Sequence, residues 1–260
     1  MIVDAHAHVF FLEGMVDYYN KPLFEYMAIN RIDICSCIAA TKNENEGVIK
    51  SVTKHSDKLF GIGYVNVHDQ ISSLSFLHHY YKLGIFRGIK MHPYVEDYQL
   101  DDPMIFPVYE TCLELDIPLL FHTGWLNFNN WPSDEPGKFK EVKASCTGFP
   151  VQFANVLERY PKLKIIFAHF GGNYYREILG LTERFENVYM DTAWLRHYAD
   201  RMLPPVTLNS WIEHAVKFVG SKKILFAGEG TLPSDIEQCN LTIEQKEDIF
   251  FKNAVSLYKI

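Results

Sequence analysis

The chain has 260 residues, 48% of them hydrophobic, and its 25 Lys and Arg against 32 Asp and Glu leave a formal charge of −7. That balance argues against nucleic acid as a partner, because phosphate binding needs a basic surface, and no run approaches the roughly 18 apolar residues of a membrane span. Five cysteines without CxxC spacing read as reduced core thiols, and the N-terminus lacks the basic-then-apolar layout of a leader, so the expected compartment is the cytoplasm.

The first predicted strand, Ile2–His8, carries Asp4-Ala5-His6-Ala7-His8. Side chains alternate along a strand, which puts Asp4, His6 and His8 on one face. Two imidazoles at i and i+2, with Cα atoms roughly 7 Å apart, can converge on one metal ion. A long connection, Val9 to about Asn30, leads to a strand at Ile34–Ala39 with Cys35 and Cys37 on one face. Then come an amphipathic helix at Asn45–His55, a strand at Leu59–Asn66, a helix at Ser73–Leu83 and a strand at Arg87–His92. Lys90 and His92 share a face of that strand. A helix at Pro103–Leu115 and a strand at Ile117–His122 follow, and then a second long connection, Gly124 to about Phe149. It holds Trp125, Asn127, Trp131, Asp134, Glu135 and two prolines. The remainder reads helix Pro150–Tyr160, strand Lys164–His169, helix Tyr174–Phe185, strand Val188–Thr192, helix Thr207–Val219 and strand Ile224–Glu229. A last helix at Thr242–Tyr258 opens with Thr242 and Gln245 spaced as a capping box.

Eight β/α units imply a parallel sheet, and about 260 residues suits a single-domain (β/α)₈ TIM barrel spanning 1–260. A doubly wound open sheet has the same periodicity. The polar residues favour the barrel: His8, His92, His122, His169 and Glu229 all stand at or beside the C-terminal ends of predicted strands, which in a barrel point into one mouth. Any one histidine there is ordinarily a satisfied polar residue; several together call for a common partner. Neutral imidazoles with a carboxylate suit Zn²⁺ or another first-row ion such as Mn²⁺. The two long connections leave strand ends on that same side and would form walls or lids.

These elements resemble the amidohydrolase superfamily, in particular its aminocarboxymuconate-semialdehyde decarboxylase-like branch with its related lactone hydrolases. The resemblance rests on Asp4-Ala5-His6-Ala7-His8, Gly88-Ile89-Lys90-Met91-His92-Pro93 and Leu120-Phe121-His122-Thr123-Gly124. It continues through Ala168-His169-Phe170-Gly171-Gly172, Asn187-Val188-Tyr189-Met190-Asp191-Thr192 and the closing Ile249-Phe250-Phe251-Lys252-Asn253-Ala254, in the family's order. It implies one divalent ion held by His6, His8, His122 and Glu229, with His169 beside it hydrogen-bonding a water or polarising a substrate carbonyl. Glu229 stands where the family has an aspartate. Its extra methylene moves the carboxylate by ~1.5 Å, and misplacement on the order of 1 Å can cost about a hundredfold in rate.

In dinuclear relatives a carbamylated lysine on the fourth strand bridges two metals, and Lys90 lies near that place. The plainer reading is a buried lysine neutralising Asp4 or Glu229. Lys90, His92, Trp125 and Arg196 are candidate substrate contacts, with His197, Trp131 and Trp194 nearby. Asp191 precedes the eighth strand and is not expected to ligate; Asp235, past Pro233, is expected to cap a helix. The first functional expectation is a metal-dependent hydrolase of a small ester, lactone or amide. The second is a nonoxidative decarboxylase of an unsaturated or aromatic acid, and the third a barrel that has lost its metal and only binds. The partners expected are a small molecule, possibly a carboxylate, and, from the relatives, a second copy in a homodimer.

Overall fold

The computed structural model describes residues 1–12, 15–18, 21–125, 130–132, 138–142 and 148–260. Within them eight strands form one sheet in chain order. They are β1 Val3–Asp4, β2 Ile34–Ile38, β3 Leu59–Tyr64, β4 Phe86–Met91, β5 Leu119–Phe121, β6 Ile165–Phe167, β7 Val188–Asp191 and β8 Ile224–Leu225. Every neighbouring pair is parallel. Sequential order excludes the doubly wound alternative, whose later strands would lie on both sides of β1. The two edges meet: Ala5 N–H donates to the Phe226 carbonyl at 3.0 Å, and Gly228 N–H donates to Asp4 Oδ1 at 2.9 Å. The sheet thus curls into the expected (β/α)₈ barrel.

Strands such as β3 (LFGIGY) are buried throughout, because a barrel strand faces side chains inside and helices outside. Val3, Phe60, Ile62, Leu120, Ile166 and Leu225 form the inner core. Cys35, Cys37, Leu59, Phe121 and Phe167 belong to the larger core beneath the helices. The helix Leu208–Val219 shows how those helices are specified: Leu208, Trp211, Ile212, Ala215 and Val216 repeat at helical spacing and are its buried residues, and Thr207 caps it. The inner core ends on Ala254, Leu257 and Tyr258 of the closing helix. The Tyr258 ring lies 4.8 Å from Phe60, and a Cβ on Gly88 would stand 3.1 Å from Tyr258 Cε1. The last turn of the chain therefore plugs the floor of the barrel.

Several strands are shorter than predicted. β1 forms a ladder only at Val3–Asp4, with an isolated bridge from His8 to Ile38. Near the mouth, side chains replace ladder bonds. Ser36 Oγ accepts from Ala7 N at 2.9 Å, and Thr192 Oγ1 both accepts from Ala227 N at 2.9 Å and donates to Ala227 O at 3.0 Å. The closing helix is broken into Ile243–Glu247, a π-type turn at Asp248–Lys252 and Asn253–Tyr258. The wide turn leaves the Ile249 carbonyl to accept from Phe226 N at 2.8 Å. Its capping box is present: Thr242 Oγ1 accepts from Gln245 N and Gln245 Oε1 from Thr242 N.

The two long connections contain structure of their own. The first has antiparallel strands Phe10–Leu12, Met15–Tyr18 and Lys21–Pro22, then a helix at Leu23–Ile29. The second pairs Asn130–Pro132 with Phe139–Glu141; Asn127, Asp134, Glu135 and the Trp131 side chain lie outside the described residues. Cys35, Cys37, Cys112 and Cys239 are buried free thiols. Among the described residues no helix is long and apolar enough to cross a membrane.

Candidate metal centre

The mouth of the barrel gathers the polar residues expected there. His6, fully buried, is the hub. Its Nε2 lies 3.3 Å from His8 Nε2, 3.0 Å from Lys90 Nζ and 3.8 Å from Glu229 Oε2. His6, His169 and Glu229 each place a ligand atom within 4.8 Å of the others. His169 also lies with Nε2 3.3 Å from His122 Nδ1, and its Nδ1 donates to the Ala193 carbonyl at 2.9 Å. His92 extends the cluster, with its ring 5.4 Å from His122 and 5.7 Å from His8.

Backbone geometry aims two of these groups. After β6 the chain makes a run of left-handed residues, His169 (φ 61°), Phe170 (φ 51°), Gly171 (φ 83°) and Gly172 (φ 55°). L-residues pay roughly 1–2 kcal/mol each for that conformation. Glycine avoids the penalty, and the space is tight as well: a Cβ on Gly172 would stand 2.9 Å from Tyr198 Cζ and 3.0 Å from Gly124 Cα. Glu229 also has a positive φ, 51°, followed by Gly230 at 94°. Strain of this kind persists where the surroundings over-determine it. Here Asp4 does so, accepting from Gly228 N and from His6 N at 3.1 Å, with Tyr26 Oη at 3.2 Å. Asp4 thus shares the histidines' end of the barrel but holds backbone.

Burial sets the electrostatics. It drives His6, His8, His92 and His122 well below the ordinary histidine range, with the nearby Lys90 charge adding to the effect. His169 is lowered to about 3. These imidazoles are neutral, the form that ligates metal. Burial also raises the Glu229 carboxyl, although its side chain keeps 14% exposure. Lys90 opposes that rise, while Asp191 and Asp4 add to it. Lys90, 2% exposed, is lowered by burial against the pull of Glu229 and Asp191.

The donor set fits a divalent cation. Neutral imidazole nitrogens and a carboxylate are the ligands Zn²⁺ and its neighbours take. His122 Nε2 is buried without a hydrogen-bond partner, an orphaned lone pair of the kind a cation satisfies. Lys90 Nζ bonds the same His6 nitrogen that would ligate, so ion binding there requires the lysine to turn aside.

Asp191, not expected to ligate, is not among those clustered ligand atoms but bonds one of their rings, with its Oδ2 2.7 Å from His6 Nδ1. A carboxylate ending β7 was the signal in the sequence. Among the proposed substrate contacts, Lys90 and His92 line the cluster. Trp125 is 41% exposed on the rim, its ring 6.3 Å from Tyr174 and 6.4 Å from Phe149. Arg196 Nη2 donates to both carboxylate oxygens of Asp235, 3.0 Å to each, so its charge is already matched. Asp235 also accepts from Leu232 N at 2.8 Å, capping the helix Pro233–Glu237. Trp194 faces His169 at 5.8 Å and stacks on His197 at 3.9 Å. Tyr94 and Tyr198 were not anticipated; their rings lie 5.6 Å from His122 and 5.9 Å from His169.

Residues 36–260 match a protein family described as amidohydrolase. A 2-amino-3-carboxymuconate-6-semialdehyde decarboxylase from Dictyostelium discoideum is 27% identical over 143 residues, 50% of this chain and 37% of that protein. The match thus spans little more than a third of the relative's length. A 2,6-dihydroxybenzoate decarboxylase from Rhizobium superposes with TM-score 0.69 at 15% identity, covering 94% of this chain and 88% of that one. A 5-carboxyvanillate decarboxylase from Novosphingobium aromaticivorans, solved with manganese and a nitrobenzoic acid, gives TM-score 0.65 at 16% identity over 92% and 80%.

Proposed function

The chain belongs to the amidohydrolase family, and on that premise we propose that it is a metal-dependent, nonoxidative decarboxylase of a small unsaturated or aromatic carboxylic acid. The observation that carries this reading is Glu229: a carboxyl raised by burial, within 3.8 Å of His6 and facing a buried lysine. Decarboxylation exchanges a carboxylate for a proton, so the site must supply an acid at carbon. A carboxyl with a raised pKa is such an acid at neutral pH. The three relatives described above, all decarboxylases, favour the same reaction over the hydrolysis expected first.

His6, His8 and His122 would hold the ion, Zn²⁺ or Mn²⁺, with His169 a further nitrogen in reach and the Glu229 carboxyl beside them. When bound, it supplies Lewis-acid stabilisation of negative charge developing on the substrate. The chain's own groups do the rest. The Lys90 ammonium offers the cation and hydrogen-bond donor that a substrate carboxylate requires. Trp194, Tyr198 and Tyr94 wall the mouth with rings against which a planar acid can pack. The bond to the carboxylate carbon breaks, CO₂ leaves, and the electron pair left on carbon takes a proton from Glu229. A cation bound to the carboxylate would favour its ionised form, so Glu229 carries that proton from beside the ion and not as its ligand. Glu229, 14% exposed, is then reprotonated from solvent.

That same exposure favours the second reading, hydrolysis of a small ester, lactone or amide, in which Glu229 takes a proton from water. Assay of a panel of aromatic and unsaturated acids in D₂O, with CO₂ measured alongside, separates the two. Decarboxylation gives CO₂ and one deuterium on the carbon that lost it. Cleavage of lactones or esters, with no CO₂ from any acid, would overturn the proposal in favour of the second reading.

A further inference from the structure

Asp191 ends β7, is 1% exposed and faces two elements at once. Its Oδ2 lies 2.7 Å from His6 Nδ1 on the first strand segment. Its Oδ1 accepts from His169 N at 2.8 Å and from Ala193 N at 3.1 Å. Ala193 completes a circuit by accepting from His169 Nδ1 at 2.9 Å. A carboxylate only accepts, so the hydrogen of the neutral His6 ring sits on Nδ1 and its lone pair on Nε2. The carbonyl of Ala193 imposes the same tautomer on His169. Both Nε2 lone pairs then face the space shared with Glu229. The hydrogen bonds to His169 N and Ala193 N also anchor the start of the left-handed turn, which fixes where the His169 ring points.

We propose that Asp191 is a positioning residue for the metal centre, setting the tautomer of His6 and the placement of His169 together, so that two strands present lone pairs to one divalent ion. The inference rests on the metal reading of the site and is independent of the substrate. Asp4 cannot take this role, because its oxygens face Gly228 N, His6 N and Tyr26 Oη. A role confined to tying backbone makes a different prediction. Asp191→Asn keeps an oxygen for His169 N and Ala193 N but turns an NH₂ towards His6 Nδ1, which drives the His6 hydrogen onto Nε2.

The test is calorimetric titration of Zn²⁺ into chelator-treated wild type, Asp191→Asn and Asp191→Glu, with imidazole ¹⁵N NMR of the metal-free proteins. Metal-ligand partners of this kind are worth 10–100-fold in affinity. The expected result is that about 10–100-fold loss in Asp191→Asn, a His6 hydrogen moved from Nδ1 to Nε2, and partial recovery in Asp191→Glu. Equal Zn²⁺ affinity in wild type and Asp191→Asn overturns the proposal alone, as does a wild-type His6 hydrogen on Nε2. The second result needs no variant to fold. Wild type that takes up no Zn²⁺ overturns the metal reading and this proposal with it.

Discussion

Acid should unfold the metal-free protein through its own active-site mouth. His6, His8, His92, His122 and His169 are all lowered by burial, so below about pH 6.5 the unfolded chain binds protons that the folded one refuses. Each such histidine removes about 1.4 kcal/mol of stability per pH unit as pH falls. Two carboxyls act in the opposite sense: Asp4, raised to about 6, and Glu229, raised to about 8, hold protons in the fold that unfolding releases above about pH 4, and Asp191, also raised, acts in the same direction. Five groups against these leave roughly two to three protons taken up on unfolding near pH 5, a slope of roughly 3–4 kcal/mol per pH unit. A domain stabilised by about 5–15 kcal/mol loses a large share of that between pH 6.5 and 4.5. Below about pH 4 the carboxyls are protonated in both states, and the slope steepens towards that of the five histidines. Urea unfolding followed by far-UV circular dichroism, repeated from pH 7.5 to 4.5 on chelator-treated protein, measures it. Bound Zn²⁺ should steepen the fall, since protons then compete with the ion. Stability that stays level or rises between pH 6.5 and 5 would refute the reasoning, because it would mean the histidines are charged in the fold.

Replacing Glu229 by Gln should lower turnover by at least about a hundredfold while raising the stability of the metal-free protein at neutral pH, because a buried carboxyl beside Asp4 and Asp191 is removed; unchanged turnover would remove Glu229 from the mechanism. Lys90→Met should tighten Zn²⁺ binding at least about tenfold, since like charges ~4 Å apart repel by about 4 kcal/mol per unit charge at an effective dielectric of ~20. Weaker binding, read by chelator competition, would instead make the lysine part of the ligand set. Gly172→Ala combines a positive φ with a Cβ 2.9 Å from Tyr198 Cζ, and should cost about 3 kcal/mol in urea unfolding; a neutral effect would refute the tight approach of Gly124, Gly172 and Tyr198. The double variant His6→Ala/His8→Ala should lose its bound divalent ion in element analysis, and metal content equal to wild type would count against the pair as ligands.

The barrel was legible because its strands end in polar residues that only a common mouth explains. His122, His169 and Glu229 each follow an apolar run, and that repeated grammar carries more than any one motif. What the sequence hid was conformation and pairing. Gly171 and Gly172 advertise a turn, yet nothing in His169 or Phe170 announces positive φ, because the surrounding contacts impose it. Asp4 shares its strand with the histidines, but its oxygens are claimed by Gly228 N and Tyr26 Oη, groups near the far end of the chain and in the first connection. Arg196 reads as a substrate anchor until Asp235, 39 positions away, is found to hold it. Such pairings depend on loop paths, which residue periodicity does not encode.

The seam between Ala5 and Phe226 has a consequence for how the protein is made. Synthesis runs from the N-terminus at about 5–20 residues per second, so His6 and His8 leave the ribosome on the order of 10–50 s before Glu229. During that interval the first strand has a partner on one side only. The metal centre therefore cannot assemble piecemeal; it comes into being when the ring closes, and its competence to hold an ion reports that the last strand has arrived.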